Sequence, residues 1–429
     1  MRRLLKAGRV IDPAAGVDRR ADVLIDNDRV ARVEPGIAVQ DAEVIDCAGR
    51  VVAPGFIDMH VHLREPGRED EETVGSGAAA AAAAGIASVA CMPNTEPPND
   101  NASITEFIIG QARRAGAANV FPIGCVSKGR RGKELAEIGE MVRAGAVAFS
   151  DDGSPVVSAL LMRRALEYCR LFDVPVIDHC EDPSLTAHGV MNEGSVSTAL
   201  GLRGAPCASE EVMVWRDIRL AELTGGQVHI AHVSARGSVE AIREARRRGV
   251  RVSGEAAPHH FALTDEAVRG YDTHAKMNPP LRSEADRAAV LEGVLDGTLA
   301  AIASDHAPHN AVEKAVEFDQ APFGITGLET AVSIALDRLV HGAGMPLPEL
   351  VRRFTQGPAE ILRLRGRGTL APGSRADVTV FDPDLTVVVD VARMRSLSRN
   401  CPYGGWRLRG AAVLTLARGQ VIWRREAGA

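Results

Sequence analysis

The sequence predicts an α/β protein whose main body is a TIM-type (β/α)8 barrel, joined to a small β-sandwich domain built from both ends of the chain. Three observations predict it. Eight apolar, β-rich segments alternate with helix-compatible stretches between residues 54 and 365. Residues able to bind metal or move protons fall at the ends of those segments, where a barrel presents its active-site loops. Short β-type runs occupy both chain ends, which is best explained by their pairing with each other outside the barrel.

The elements follow in order. Residues 1–53 carry VLIDNDRVARVEPG and AEVIDCAGRVVAPG, broken by Asn, Asp, Gly and Pro, and form the first part of the small domain. Similar runs return within 366–429, as ADVTVFDPD from Ala376 and VLTLARGQVIWRR from Val413. Between them, residues 54–365 form the barrel. Its strand segments end at His60 and His62 (MHVH), Asn94 (SVACMPN), Ser127 (VFPIGCVS), Asp152 (AVAFSDD), His179 (VPVIDHCED), His232 (VHIAHVS), His259 (VRVSGEAAPHH) and Asp305 (LAAIASDHAPH). Stretches such as SALLMRRALEYCRLF and SVEAIREARRRG favour helix. The alanine run at 78–84, with Gly75, Gly77 and Gly85 around it, reads as a thin helix set close against the barrel wall.

The chain has 429 residues, 45% hydrophobic and 25% charged, enough for one large and one small domain. Its net charge of −6, with acids and bases interspersed, offers no basic face for nucleic acid or anionic lipid. A small molecule is the expected partner. Seven cysteines, scattered and never in CxxC spacing, point away from a disulfide framework and a thiolate zinc site and towards a reducing cytoplasm. No apolar run reaches a membrane span of roughly 18 residues.

Within PGFIDMHVHLREPG, alternation sets Phe56, Asp58, His60 and His62 against Ile57, Met59 and Val61, so two imidazoles share one face. Such a pair can hold one divalent ion, each ring nitrogen about 2.0 to 2.1 Å from it. A lone histidine in an apolar strand is usually a hydrogen-bonded core residue. Histidines and aspartates at one segment end after another reverse that expectation. Neutral imidazoles and carboxylates are the donors of a hydrolytic zinc site, numerous enough here for two ions with an aspartate bridging them. The expected chemistry is hydrolysis, or its reversal, at an amide-like carbon. Arg64, Asn94, Asn278 and His309 stand beside these donors, and a guanidinium pairs bidentately with a carboxylate, so an acidic substrate is indicated.

The motifs HVHLREPG, MPNTEPPND, SDDG, DHCED, HVS, MNPPLR and SDHAPH resemble the long bacterial dihydroorotases, cyclic amidohydrolases of the amidohydrolase superfamily. The resemblance runs over essentially the whole chain. It implies conversion of N-carbamoyl-L-aspartate to (S)-dihydroorotate in pyrimidine synthesis. It also implies His60, His62 and Asp305 on a first zinc, His179 and His232 on a second, and Asp152 bridging both, with one or two zinc ions per subunit. Asp305 would also be the catalytic acid–base. His62, Arg64, Asn94, Asn278, His309 and the backbone at Phe323 and Gly324 would hold substrate. Asp151 would face away, because neighbouring strand residues point oppositely. Relatives bridged by a carboxylated lysine have Lys at the end of strand four; its absence here disfavours a hydantoinase or allantoinase. A homo-oligomer is expected, as is a complex with aspartate transcarbamoylase, in which some relatives are inactive companions that have lost ligands; all six ligands survive here. The segment from His306 to Phe323, of mixed charge and no clear period, is expected to be a mobile loop that orders over the site on binding.

Overall fold

In a computed structural model, described over residues 1–426, the barrel strands form one sheet in sequential order. They are Phe56–Val61, Ile86–Cys91, Asn119–Gly124, Ala148–Phe149, Val176–Asp178, Val228–Ile230, Val252–Ala256 and Ala301–Ile302. Neighbouring strands are parallel throughout. A parallel bridge between Val61 and His306 brings the end of the eighth segment back to the first.

The strands are shorter than the apolar runs. They stop one residue before His179, two before His232 and three before Asp152 and Asp305, so these residues sit on loops at the barrel mouth, beyond the hydrogen-bonded ladder. His259, expected at the end of the seventh strand, lies instead in the short helix Pro258–Ala262. Pro258 ends the ladder, since it has no N–H to donate.

The expected alternation in the first strand also fails, for a local reason. Ile57 and Met59 pack inside the barrel with Met92, Ile123 and Ile177. The first strand then has one residue more than its neighbour between Asp58 and Val61. That bulge resets the alternation and turns His60 and His62 inward as well, a placement bulges commonly serve beside active sites.

The alanine-rich helix is Val74–Ala83. Thr73 caps it by accepting from the Ser76 backbone N–H, while Ser76 Oγ accepts from Thr73 N, a reciprocal cap that fixes where it starts. A Cβ on Gly77 would come within 2.3 Å of Leu63 Cδ2. Glycine therefore lets this helix lie directly behind the loop that follows His62.

The two chain ends share one eight-stranded sheet. Its order is Gln420–Arg424, Arg407–Ala417, Val378–Val388, Val51–Pro54, Arg2–Asp12, Val17–Asp26 and Arg29–Glu34, with Ala42–Asp46 also pairing with Arg2–Asp12. The ends meet where Val52 pairs with Val380 and Ala53 with Thr379. Leu5, Val10, Val23, Val52, Val378 and Leu416 then bury a common core, so neither end could complete this sheet alone. Among the described residues no helix is long and apolar enough to cross a membrane.

Candidate metal centre

Six side chains from five segments converge at the barrel mouth. His60 comes from the first strand and His62 from just beyond it. Asp152, His179, His232 and Asp305 follow the fourth, fifth, sixth and eighth strands. All six are buried, none more than 5% exposed.

Asp152 lies between two pairs of imidazoles. Its Oδ2 is 3.4 Å from His60 Nε2 and 3.5 Å from His62 Nε2. Its Oδ1 is 3.3 Å from His232 Nε2 and 3.7 Å from His179 Nδ1. Asp305 closes the first group, with Oδ1 3.3 Å from His62 Nε2 and 3.4 Å from His60 Nε2. The donor atoms form three overlapping sets, each close enough to share one ion: His60, His62 and Asp152; His60, His232 and Asp305; Asp152, His179 and His232.

The donor set fits divalent metal. His60 Nε2 is buried and has no hydrogen-bond partner, an arrangement expensive to keep unless something occupies the space it faces. Electrostatics agree. Burial opposes charge on these groups, yet His60, His179 and His232 hold the Asp152 carboxyl well below the usual carboxylate range. Burial likewise works against Asp305, and His60 and His62 lower it. Asp152 and Asp305 in turn raise His60 well above the ordinary imidazole value, against its burial. The cluster concentrates negative charge where a cation can replace protons.

Carboxylates and an amide behind the imidazoles set their orientation. His60 Nδ1 is 2.7 Å from Glu255 Oε1, and Glu255 Oε2 is 3.3 Å from His229 Nε2. With Nδ1–H donated to Glu255, His60 presents the Nε2 lone pair to the site. His179 Nε2 meets Glu181 Oε2 at 3.0 Å, which leaves Nδ1 facing Asp152. His62 Nδ1 meets Asn94 Oδ1 at 2.8 Å. Sequence reasoning missed Glu255 and Glu181, although both stand inside motifs already singled out, VRVSGEAAPHH and DHCED. Glu255→Ala is expected to weaken metal retention by about 10- to 100-fold, measured by competition with a chelator; retention equal to that of the unaltered protein would remove it from this role.

Asp151 points elsewhere, as expected, though by a different cause. It lies past the strand in a turn, where its carboxylate accepts from the backbone N–H of Ser127 at 3.0 Å and from the Ser127 hydroxyl. Arg130 donates to the backbone oxygens of both Asp151 and Asp152, holding the turn that aims Asp152. Among the described residues His259 joins no metal-competent group; its ring packs against His260, centroids 4.3 Å apart.

Of the residues expected at substrate, Arg64 and Phe323 are joined through His309, whereas Asn278 stands beside His179 and Asn94 beside His62. Asn278 Nδ2 donates to Glu181 Oε2 at 2.9 Å and lies 3.2 Å from His179 Nε2. Arg64 donates to the Pro308 carbonyl, pairs with Glu71 at 3.1 Å and lies 3.4 Å from His309 Nε2. Glu71, fully buried and not foreseen, also sits 2.8 Å from His309 Nδ1. The Phe323 carbonyl lies 2.9 Å from His309 Nε2, and Gly324 N donates to Lys276 O at 2.9 Å. The segment after His306, expected to be loose, contains the helix Ala311–Lys314. It is tied down by Lys314 Nζ, which donates to the Pro322 carbonyl at 2.8 Å.

Comparison with known proteins gives consistent matches. A family model described as dihydro-orotase-like matches residues 49–238, and one described as amidohydrolase family matches 223–423. The dihydroorotase of Syntrophotalea carbinolica is 53% identical over 99% of this chain and 99% of its own length. That of Pelotomaculum thermopropionicum is 55% identical over 98% of each. Among solved structures, an L-hydantoinase (dihydropyrimidinase) from Arthrobacter aurescens aligns with a TM-score of 0.88 at 25% identity, over 98% of this chain and 96% of its own. A dihydropyrimidinase from Brevibacillus agri gives 0.84 at 23% identity, over 99% and 95%, and shows the fold alone.

Proposed function

This chain belongs to the dihydroorotase family, and from that premise we propose that its cluster of four histidines and two aspartates would hold zinc at two positions that share Asp152. The enzyme interconverts N-carbamoyl-L-aspartate and (S)-dihydroorotate, closing the ring with loss of water in pyrimidine synthesis. The observation that supports a paired site is the division of one carboxylate, Asp152 Oδ2 towards His60 and His62 and Oδ1 towards His179 and His232. His60, His62 and Asp305 would hold the first ion, His179 and His232 the second. Zinc there would polarise the scissile carbonyl and make water acidic near neutral pH.

The chain's own groups carry the remaining work. In ring opening, Asp305 takes a proton from the attacking water and passes it to the departing amide nitrogen; its unpartnered Oδ2 is the atom free to do so. Arg64 and His309, held by Glu71, receive the substrate carboxylate. Asn94, Asn278 and the Phe323–Gly324 backbone orient the ring amide, and His62 faces the same space. Ring closure runs these steps in reverse.

The intact six-residue set favours an active enzyme over a purely structural companion. Assay against dihydroorotate, hydantoin and allantoin tests the substrate: turnover confined to dihydroorotate is expected, and faster turnover of either neutral ring would overturn it. We place the protein in the cytoplasm as a homo-oligomer that also pairs with aspartate transcarbamoylase. The helices Ala159–Arg170 and Ala208–Thr224, which pack together, support assembly through exposed Leu160, Val212 and Trp215. Light scattering with and without aspartate transcarbamoylase tests this, and a monomer in both samples would contradict it.

A further inference from the structure

Two buried lysines lie behind the substrate side of the barrel mouth, and the chemistry above uses neither. Lys276 is 2% exposed and Lys314 is 3% exposed. Among the described residues neither ammonium reaches a carboxylate at ion-pair distance. Each is spent on backbone carbonyls of a single loop. Lys276 Nζ donates to the carbonyls of Phe318 at 2.7 Å and Asp319 at 3.1 Å, and lies 4.6 Å from the centre of the Phe323 ring. Lys314 Nζ donates to Pro322 O, and Lys314 O accepts from Thr273 Oγ1 at 2.7 Å. With Gly324 N bonded to Lys276 O, residues 273–276 and 314–324 are stitched together at five points.

Stability does not explain this design. A buried ammonium without a counter-ion is costly, and Phe318 and Phe323 around it would suit an apolar side chain as well. The cost shows in both groups. Burial lowers Lys276 to about 8, with only exposed Asp319 resisting, and lowers Lys314 to about 7, with Lys276 adding to the fall and exposed Asp272 resisting. Features that cost stability and persist tend to serve a site. The site is close at hand: Lys276 stands two residues before Asn278, and the clamped loop ends at Phe323 and Gly324.

The substrate is an anion in both directions. Dihydroorotate bears one carboxylate and N-carbamoylaspartate two, whereas a hydantoin or dihydropyrimidine ring is neutral. We propose that Lys276 and Lys314 are specificity-determining residues, whose ammonium charges behind the 314–324 loop favour a carboxylate-bearing ring over a neutral cyclic amide. This rests on the dihydroorotase reading of the site.

The test uses Lys276→Met and Lys314→Met in the full-length zinc-loaded protein at pH 6, below the point where either ammonium gives up its proton. KM and kcat are measured for dihydroorotate, with 5,6-dihydrouracil as a neutral competitor. The expected result is a KM about tenfold or more higher, the scale of a charge acting across several ångströms of partly screened interior. Turnover and the inhibition constant of dihydrouracil should stay within about threefold, with zinc content kept and the urea midpoint unchanged or raised. Equal weakening towards both rings, an unchanged KM, or a fall in kcat together with the urea midpoint would overturn the proposal. Should Lys276→Met fail to accumulate, Lys314→Met, which leaves the Phe323 contact in place, carries the test alone. Dihydroorotate turnover by the unaltered protein is the control. Without it the enzyme reading itself fails, whereas with it an unchanged KM sinks only the role given to the two lysines.

Discussion

Asp152→Ala is expected to abolish dihydroorotate hydrolysis and to leave the purified protein nearly free of zinc, while Asp151→Ala retains most of its zinc. The two residues are adjacent and both carboxylates are buried, so composition and exposure do not separate them. Direction does. Each Asp152 oxygen faces a different pair of imidazoles, so alanine removes a donor shared by both metal positions and leaves four histidines without the charge that gathers a cation. Asp151 spends its oxygens on Ser127. Its loss slackens the turn that aims Asp152 and costs about 1 to 3 kcal/mol of stability, the scale for unmaking a buried hydrogen bond, without removing a donor. Equal zinc loss in the two variants would refute the assignment.

Asp305→Asn is expected to lower turnover by a factor of roughly 10² to 10⁴, the usual scale for general acid–base catalysis, with substrate binding largely kept. Asparagine is nearly isosteric and still offers one oxygen to the first metal position, but it cannot accept a proton. The pH dependence follows from the same group. Burial raises the Asp305 pKa and the neighbouring imidazoles lower it further, so the carboxyl ends below its ordinary value. On the proposed role hydrolysis needs Asp305 ionised, and with its pKa held below the ordinary carboxylate value the gain in rate falls at acid pH and is complete before neutrality. Synthesis needs it protonated at the step that expels water and loses rate as pH rises. Parallel pH profiles in the two directions, or a variant with zinc bound and full turnover, would move proton transfer to another group, with His309 the first to examine.

The barrel and its active face were legible because seven of the eight apolar segments run into a His, Asp or Asn that such a segment does not ordinarily carry, and these residues in sequence define a single rim. The sheet shared by both chain ends was legible as paired β-type runs. Four features were not. The bulge after Asp58 was invisible because the one-residue difference exists only relative to the neighbouring strand; strict alternation placed Ile57 and Met59 opposite the histidines, whereas both sets face inward. His259 was read as the end of the seventh strand because the sequence does not show that Pro258 starts a helix there. Glu255, Glu181 and Glu71 were missed because their importance lies in what they touch across the barrel, which no local spacing encodes. The loop from His306 was read as loose from its mixed charge, yet Lys276 and Lys314 reach its carbonyls from inside. An apparently unspecific lysine had no local signature of burial.

The most direct measurement is zinc titration into chelator-treated protein, with bound metal and dihydroorotate hydrolysis followed in the same samples. A centre built on a shared Asp152 predicts no activity without metal, two ions bound per chain at saturation, and activity restored as the sites fill. Hydrolysis by metal-free protein, or protein that takes up no zinc while remaining folded, would contradict it.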